Sequence, residues 1–251
     1  MAAGNRRNFS ARSYMGLATL LINLFALTAL AAGQSMPEPL AAPATKTKAE
    51  TGMSATAQPI KIVALGDSLT AGYLLPPADA FPAQLAAALK ARGHAVEMIN
   101  AGVSGDTTGN GLERLDWSVP EGTQAVIVEL GANDGLRGIE PATARRNLEA
   151  IIAKLKARNI DVLLTGMRAP QNWGKDYAGN FDAMFGDLAK AHGLLFYPFF
   201  LDGIAMKADL NLSDGLHPTG KGVAVIVERI LPKVEELLAR VEARAPAAAA
   251  N

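Results

Sequence analysis

Ile60-Lys61-Ile62-Val63-Ala64-Leu65-Gly66-Asp67-Ser68-Leu69 is an apolar run that ends in a glycine, an acid and a serine. A short run rich in Ile, Val and Leu, closed by glycine, reads as a buried strand. Similar runs follow at Ala95 to Asn100, Ala125 to Leu130, Val162 to Thr165 and Leu194 to Phe199. Helical patterns separate them: Phe81 to Arg92, a stretch around Gly109 to Leu115, Pro141 to Arg158, and Tyr177 to Ala191. A last helix is predicted from Pro218 to Val241. Strand–helix alternation with near-continuous apolar strands predicts an α/β fold, a five-stranded parallel sheet covered by helices on both faces. In such three-layer sandwiches the chemistry collects at the carboxyl ends of the strands. Ser68, Gly105, Asn133 and His217 all fall there.

The serine gains meaning from Asp214-Gly215-Leu216-His217-Pro218, far down the chain. A serine hydroxyl is a poor nucleophile until an imidazole takes its proton, and a carboxylate fixes that imidazole's tautomer. Asp214 and His217 are close enough for one loop to hold both in register. Of the three histidines, His94 lies in Arg92-Gly93-His94-Ala95 and reads as a solvated loop residue. His192 precedes Gly193 and reads as the close of a helix. Only His217 has an aspartate at catalytic-loop spacing. The competing reading is a surface turn in which Asp214 caps a helix, Pro218 standing in that helix's first turn.

Arg6, Arg7 and Arg12 precede an uncharged apolar stretch from Met15 to Ala32 that ends in Ala29-Leu30-Ala31. A basic start, an apolar segment and a small-residue cleavage site predict a signal peptide over residues 1–32, and so a periplasmic or secreted enzyme. A membrane anchor is the alternative, because the stretch is near the minimum spanning length. The Arg6-Arg7 pair leaves the export route open between the general and the twin-arginine systems. Residues 33–58, rich in Ala, Pro, Thr, Ser and Lys, predict a flexible linker, and 245–251 a featureless tail. The domain itself spans 59–244. The absence of cysteine excludes a disulfide framework, a thiolate nucleophile and a cysteine zinc site. Formal charge is zero, which points to no nucleic-acid partner.

Gly66-Asp67-Ser68-Leu69-Thr70 departs from the G-x-S-x-G elbow of the α/β-hydrolases. Four blocks instead resemble the GDSL, or SGNH, hydrolase family. They are Gly66 to Tyr73, Asn100-Ala101-Gly102-Val103-Ser104-Gly105-Asp106-Thr107-Thr108, Glu129-Leu130-Gly131-Ala132-Asn133-Asp134-Gly135-Leu136-Arg137-Gly138, and Ser213 to Pro218. The wording is closest to the periplasmic branch of multifunctional thioesterases, lysophospholipases and arylesterases. The resemblance implies a flavodoxin-like sandwich and a catalytic triad of Ser68, Asp214 and His217. It also implies an oxyanion hole made by the Ser68 and Gly105 backbones and the Asn133 side chain. For Asn133 the residues alone equally fit a turn in Gly-Ala-Asn-Asp-Gly. Asp67, adjacent to Ser68, is expected to hold loop hydrogen bonds.

The implied substrates are small acyl esters or thioesters of short to medium chain, and aryl esters. The rivals are an O-acetylesterase of sugars or peptidoglycan and a non-catalytic envelope binding module. Leu74 to Pro77, Leu136 to Gly138 and Met167 to Tyr177 are candidate cleft walls. Leu136, Trp173 and Tyr177 are the candidate substrate contacts. No zinc motif or phosphate-binding loop is present, so no cofactor or metal is expected, and a monomer with no lasting membrane insertion is expected.

Overall fold

The computed structural model describes residues 58–244. The signal-peptide reading, nearly all of the linker and the tail lie outside the described residues. Five strands, β1 (Ile60–Gly66), β2 (Val96–Gly102), β3 (Ala125–Glu129), β4 (Asp161–Thr165) and β5 (Leu195–Tyr197), form one sheet in the order β2-β1-β3-β4-β5. Every pairing is parallel. β3 is buried along its whole length, and so are the last five residues of β1, as a strand covered on both faces must be.

The helices follow in chain order: α1 (Ser68–Ala71), α2 (Phe81–Ala91), α3 (Thr108–Glu113), α4 (Leu115–Ser118), α5 (Ala132–Leu136), α6 (Pro141–Ala157), α7 (Lys175–His192) and α8 (Gly220–Arg244). α2 packs on α8, while α3 and α7 both pack on α6, so the sheet lies between two helical layers. α8 buries Val223, Ile226, Val227, Ile230, Val234, Leu237 and Val241, the three-and-four spacing of a helix with one core face. Among the described residues no helix is long and apolar enough to cross a membrane.

Two boundaries and one side chain depart from the sequence reading for local reasons. β5 stops at Tyr197, short of the expected Phe199, because Pro198 has no N–H for the ladder. There Gly166 N donates to Tyr197 O at 2.7 Å and Phe200 N donates to Gly166 O at 2.9 Å, turning the chain off the sheet edge. The last helix begins at Gly220 rather than Pro218, because Pro218 bridges Asn211 and Thr219 caps the helix by accepting from Gly222 N at 3.2 Å. His94, expected to be solvated, is half-buried with Nε2 3.4 Å from the Glu235 carboxylate of α8. His192 does close α7, followed by Gly193 in the left-handed conformation.

Strand order reverses direction between β1 and β3, the crevice where ligands bind in doubly wound sheets. Ser68 follows β1 and Asn133 follows β3, one on each side of it.

Candidate active site

The turn after β1 is built for close approach. A Cβ on Gly66 would sit 2.6 Å from Glu129 Oε2, so glycine is required where β1 meets α1. Asp67 caps α1, its Oδ1 accepting from Leu69 N at 2.9 Å. Ser68 is therefore the first residue of a capped helix, at the sheet's carboxyl edge. Among the described residues, no group accepts from the Ser68 or Gly105 N–H. Gly105 has φ +88°, which aims its amide in a direction that other residues rarely reach.

From the other end of the chain, His217 places Nε2 2.9 Å from Ser68 Oγ. Its Nδ1 lies 2.7 Å from Asp214 Oδ2. Asp214 Oδ1 accepts from the Leu216 and His217 amides at 2.9 and 3.0 Å. The His217 amide, the Leu216 amide and the imidazole together hold the Asp214 carboxyl down at about 2. The Tyr73 ring lies 4.5 Å from the imidazole, centroid to centroid, and confines its other side. Tyr73 lies within Gly66 to Tyr73, yet nothing in that stretch signals this contact.

Asn133 lies in α5, not in an open turn. Its Nδ2 donates to Asp67 Oδ2 at 3.1 Å and to the Asp106 carbonyl at 2.9 Å. Arg137 Nη2 donates to Gly105 O at 2.8 Å, tying the Gly105 loop to the α5 segment. Buried Arg114 adds a second tie, bonding Asp106 and donating to Gly66 O at 2.8 Å. The four sequence blocks thus meet in one place. Among the described residues, no cluster of histidines and acids is grouped to hold a metal ion.

Ser68, Asn133 and His217 open into a cleft of about 310 Å³. Leu136, expected as a contact, lines it, as do Met167, Ala169 and Pro170 of the loop after β4. Trp173 and Tyr177 do not. Trp173 Nε1 donates to Gly135 O at 2.9 Å and Tyr177 OH to Ile139 O at 2.8 Å, so both brace the α5 segment from behind. An amphipathic ring settles where its polar tip finds a carbonyl, and here that lies away from the cleft. Leu74 to Pro77 are likewise absent from this lining. The wall that the sequence reading missed is Leu201, Ala205 and Met206, with Leu216 at the rim. Leu201, Ala205 and Met206 belong to no motif, and Leu216, though within Ser213 to Pro218, is set apart with Met206 only by its exposure.

The profile of the GDSL-like Lipase/Acylhydrolase family matches residues 64–225. An arylesterase of Vibrio mimicus is 40% identical over 169 residues, covering 67% of this chain and 84% of that protein. The thioesterase 1/protease 1/lysophospholipase L1 of Escherichia coli (strain K12) is 34% identical over 178 residues, 70% of this chain and 84% of that one. Among solved structures, AlinE4, an SGNH-hydrolase family esterase, is 43% identical with a TM-score of 0.61, over 72% of this chain and 97% of its own. With the profile matching residues 64–225 and the Gly66–Leu69 turn meeting the Asp214–His217 loop at one sheet edge, the chain belongs to the GDSL-like lipase/acylhydrolase family.

Proposed function

We propose that this protein is a serine carboxylic ester hydrolase that takes esters or thioesters with an apolar acyl or aryl part. The observation that carries the reading is the line of hydrogen bonds Ser68 Oγ–His217 Nε2 at 2.9 Å and His217 Nδ1–Asp214 Oδ2 at 2.7 Å, set at the mouth of an apolar cleft. Neutral His217 takes the hydroxyl proton as Ser68 Oγ bonds to the carbonyl carbon. The carbonyl π pair moves onto oxygen, and the Ser68 N–H, the Gly105 N–H and the Asn133 amide stabilise that charge. Collapse breaks the bond to the alcohol or thiol, which leaves with the proton from His217. Water then repeats the cycle on the acyl-enzyme, returning the acid and free Ser68.

Leu136, Leu201 and Met206 offer hydrocarbon and few hydrogen-bond partners, which favours an acyl chain over an acetylated sugar. Each methylene buried there contributes about 0.8 kcal/mol, roughly fourfold in kcat/KM if fully expressed in the transition state. We expect kcat/KM on p-nitrophenyl esters to rise from acetyl to medium-chain acyl groups and then level as the cleft fills. Lysophosphatidylcholine, palmitoyl-CoA and acetylated xylan complete the panel. A preference for acetylated xylan would replace this reading with a carbohydrate esterase.

The reading extends to location. Arg6, Arg7, Arg12 and the apolar stretch to Ala32 support export followed by cleavage. N-terminal sequencing of the periplasmic or secreted protein should begin near Ala32. Met1 or Ala2 on a membrane-bound form would mean a tethered enzyme instead.

A further inference from the structure

Asp67 takes no part in the bond changes described above, yet it contacts the oxyanion side of the site. It is fully buried, and both of its oxygens accept hydrogen bonds. Oδ1 accepts from Leu69 N at 2.9 Å and Oδ2 from Asn133 Nδ2 at 3.1 Å. Accepting on both oxygens at once suits a carboxylate; an amide has only one acceptor oxygen. The second Asn133 N–H rests on the Asp106 carbonyl at 2.9 Å. A neutral carbonyl is the weaker of these two acceptors, and so the one an oxyanion can displace.

We propose that Asp67 is a positioning residue for the oxyanion hole, its carboxylate anchoring one Asn133 N–H so that the other can pass from the Asp106 carbonyl to the oxyanion. This rests on the reading that Asn133 stabilises the tetrahedral intermediate.

A buried neighbour supports the arrangement. Glu129 Oε2 accepts from Thr70 Oγ1 at 2.7 Å and from Asp67 N at 3.4 Å, fixing the turn from below. Among the described residues Glu129 Oε1 has no partner, so a proton can sit there without displacing any bond. Burial, and then the Asp67 charge, push the Glu129 carboxyl well above its usual range. Glu129 therefore keeps its proton and Asp67 carries the charge. Burial lifts Asp67 as well, to about 6, against the pull of the Leu69 and Asn133 bonds and of His217. The charged or titratable groups facing Asp67 are Glu129 from β3, Asp106 with its partner Arg114 from beyond β2, and His217 from the last loop. As pH falls through about 6, Asp67 takes a proton and its hold on Asn133 weakens.

The test is a double-mutant cycle in the full chain with Asp67→Asn and Asn133→Ala, alongside Asp67→Ser. Serine can still cap α1 but is too short to reach Asn133. Asp67→Asn and Asp67→Ser should each lower kcat by roughly 10- to 100-fold with little change in KM, below the 10²–10³-fold typical of losing a donor outright. The double variant Asp67→Asn/Asn133→Ala should be no slower than Asn133→Ala alone. The acid side of the kcat profile should carry a step near pH 6 in the wild type that Asp67→Asn lacks. Additive losses in the cycle, or identical pH profiles in the two enzymes, would overturn the role of Asp67 while leaving Asn133 as a donor. Normal kcat in Asn133→Ala would remove the oxyanion reading itself. Thermal melts matching the wild type establish that the variants fold, and Asp67→Ser decides the matter if Asp67→Asn does not.

Discussion

Ser68→Ala should lower kcat for ester hydrolysis by roughly 10⁴–10⁶-fold, the scale of removing the nucleophile from a working triad. The substitution deletes the hydroxyl that lies 2.9 Å from His217 Nε2 and changes little else. Ser68 keeps its backbone N–H, and α1 keeps its cap, because Asp67 supplies that bond. The structural cost is one side-chain hydrogen bond, about 0.5–1.5 kcal/mol, so the melting temperature should move by only a few degrees. A fluorophosphonate should label the wild type on the peptide containing Ser68 and leave the alanine variant unlabelled. Label on any other residue, or activity within tenfold of wild type, would dismiss the acyl-enzyme.

Asp214→Asn should cost roughly 10⁴-fold in kcat while leaving the fold intact. The Asp214 carboxylate serves three donors: Nδ1–H of His217 and the amides of Leu216 and His217. Asparagine has one acceptor oxygen. Whichever way the amide turns, either the imidazole faces an N–H and adopts the wrong tautomer, or the loop loses its internal bonds. With the carboxyl held at about 2, Asp214 is ionised at neutral pH. The sign for stability follows from that lowered value. Its contribution is present above the ordinary carboxylate value of 3.8 and is lost as pH falls through about 2. The side chain is exposed enough for solvent to screen that contribution, so the effect should be catalytic and not a matter of stability. A variant within tenfold of wild type would show that His217 is oriented by something else.

The sheet and the meeting of Ser68, His217 and Asp214 were legible in the sequence because each rests on local chemistry. The apolar runs place all five strands to within two residues, since burial on both faces demands such runs. Ser68, Asp214 and His217 stand out because proton transfer needs those groups and little else can replace them. The cleft wall was not legible. Leu201, Ala205 and Met206 are apolar residues in a segment without periodicity, and only tertiary placement turns them towards Ser68. Trp173 and Tyr177 misled for the opposite reason: their size suggests a binding surface, but their polar tips are satisfied by the Gly135 and Ile139 carbonyls. Glu129 left a trace that was readable in principle. A glutamate closing Ala-Val-Ile-Val is an acid carried into a buried sheet edge, and such a group needs a reason to be there.

The nucleophile and its base are separated by 149 residues, and the loop holding His217 runs directly into α8. Bringing together residues so far apart in the chain carries a loop-closure entropy cost. α8 seats against α2 and the sheet, with Gln84 Nε2 donating to Gly220 O at 2.9 Å at that junction. Hydrolytic competence is therefore a property of the finished chain. A nascent polypeptide that has emerged only as far as β5 already carries the serine turn, yet has no base to activate it. A chain shortened by its last loop and α8 would keep Ser68 and lose both Asp214 and His217.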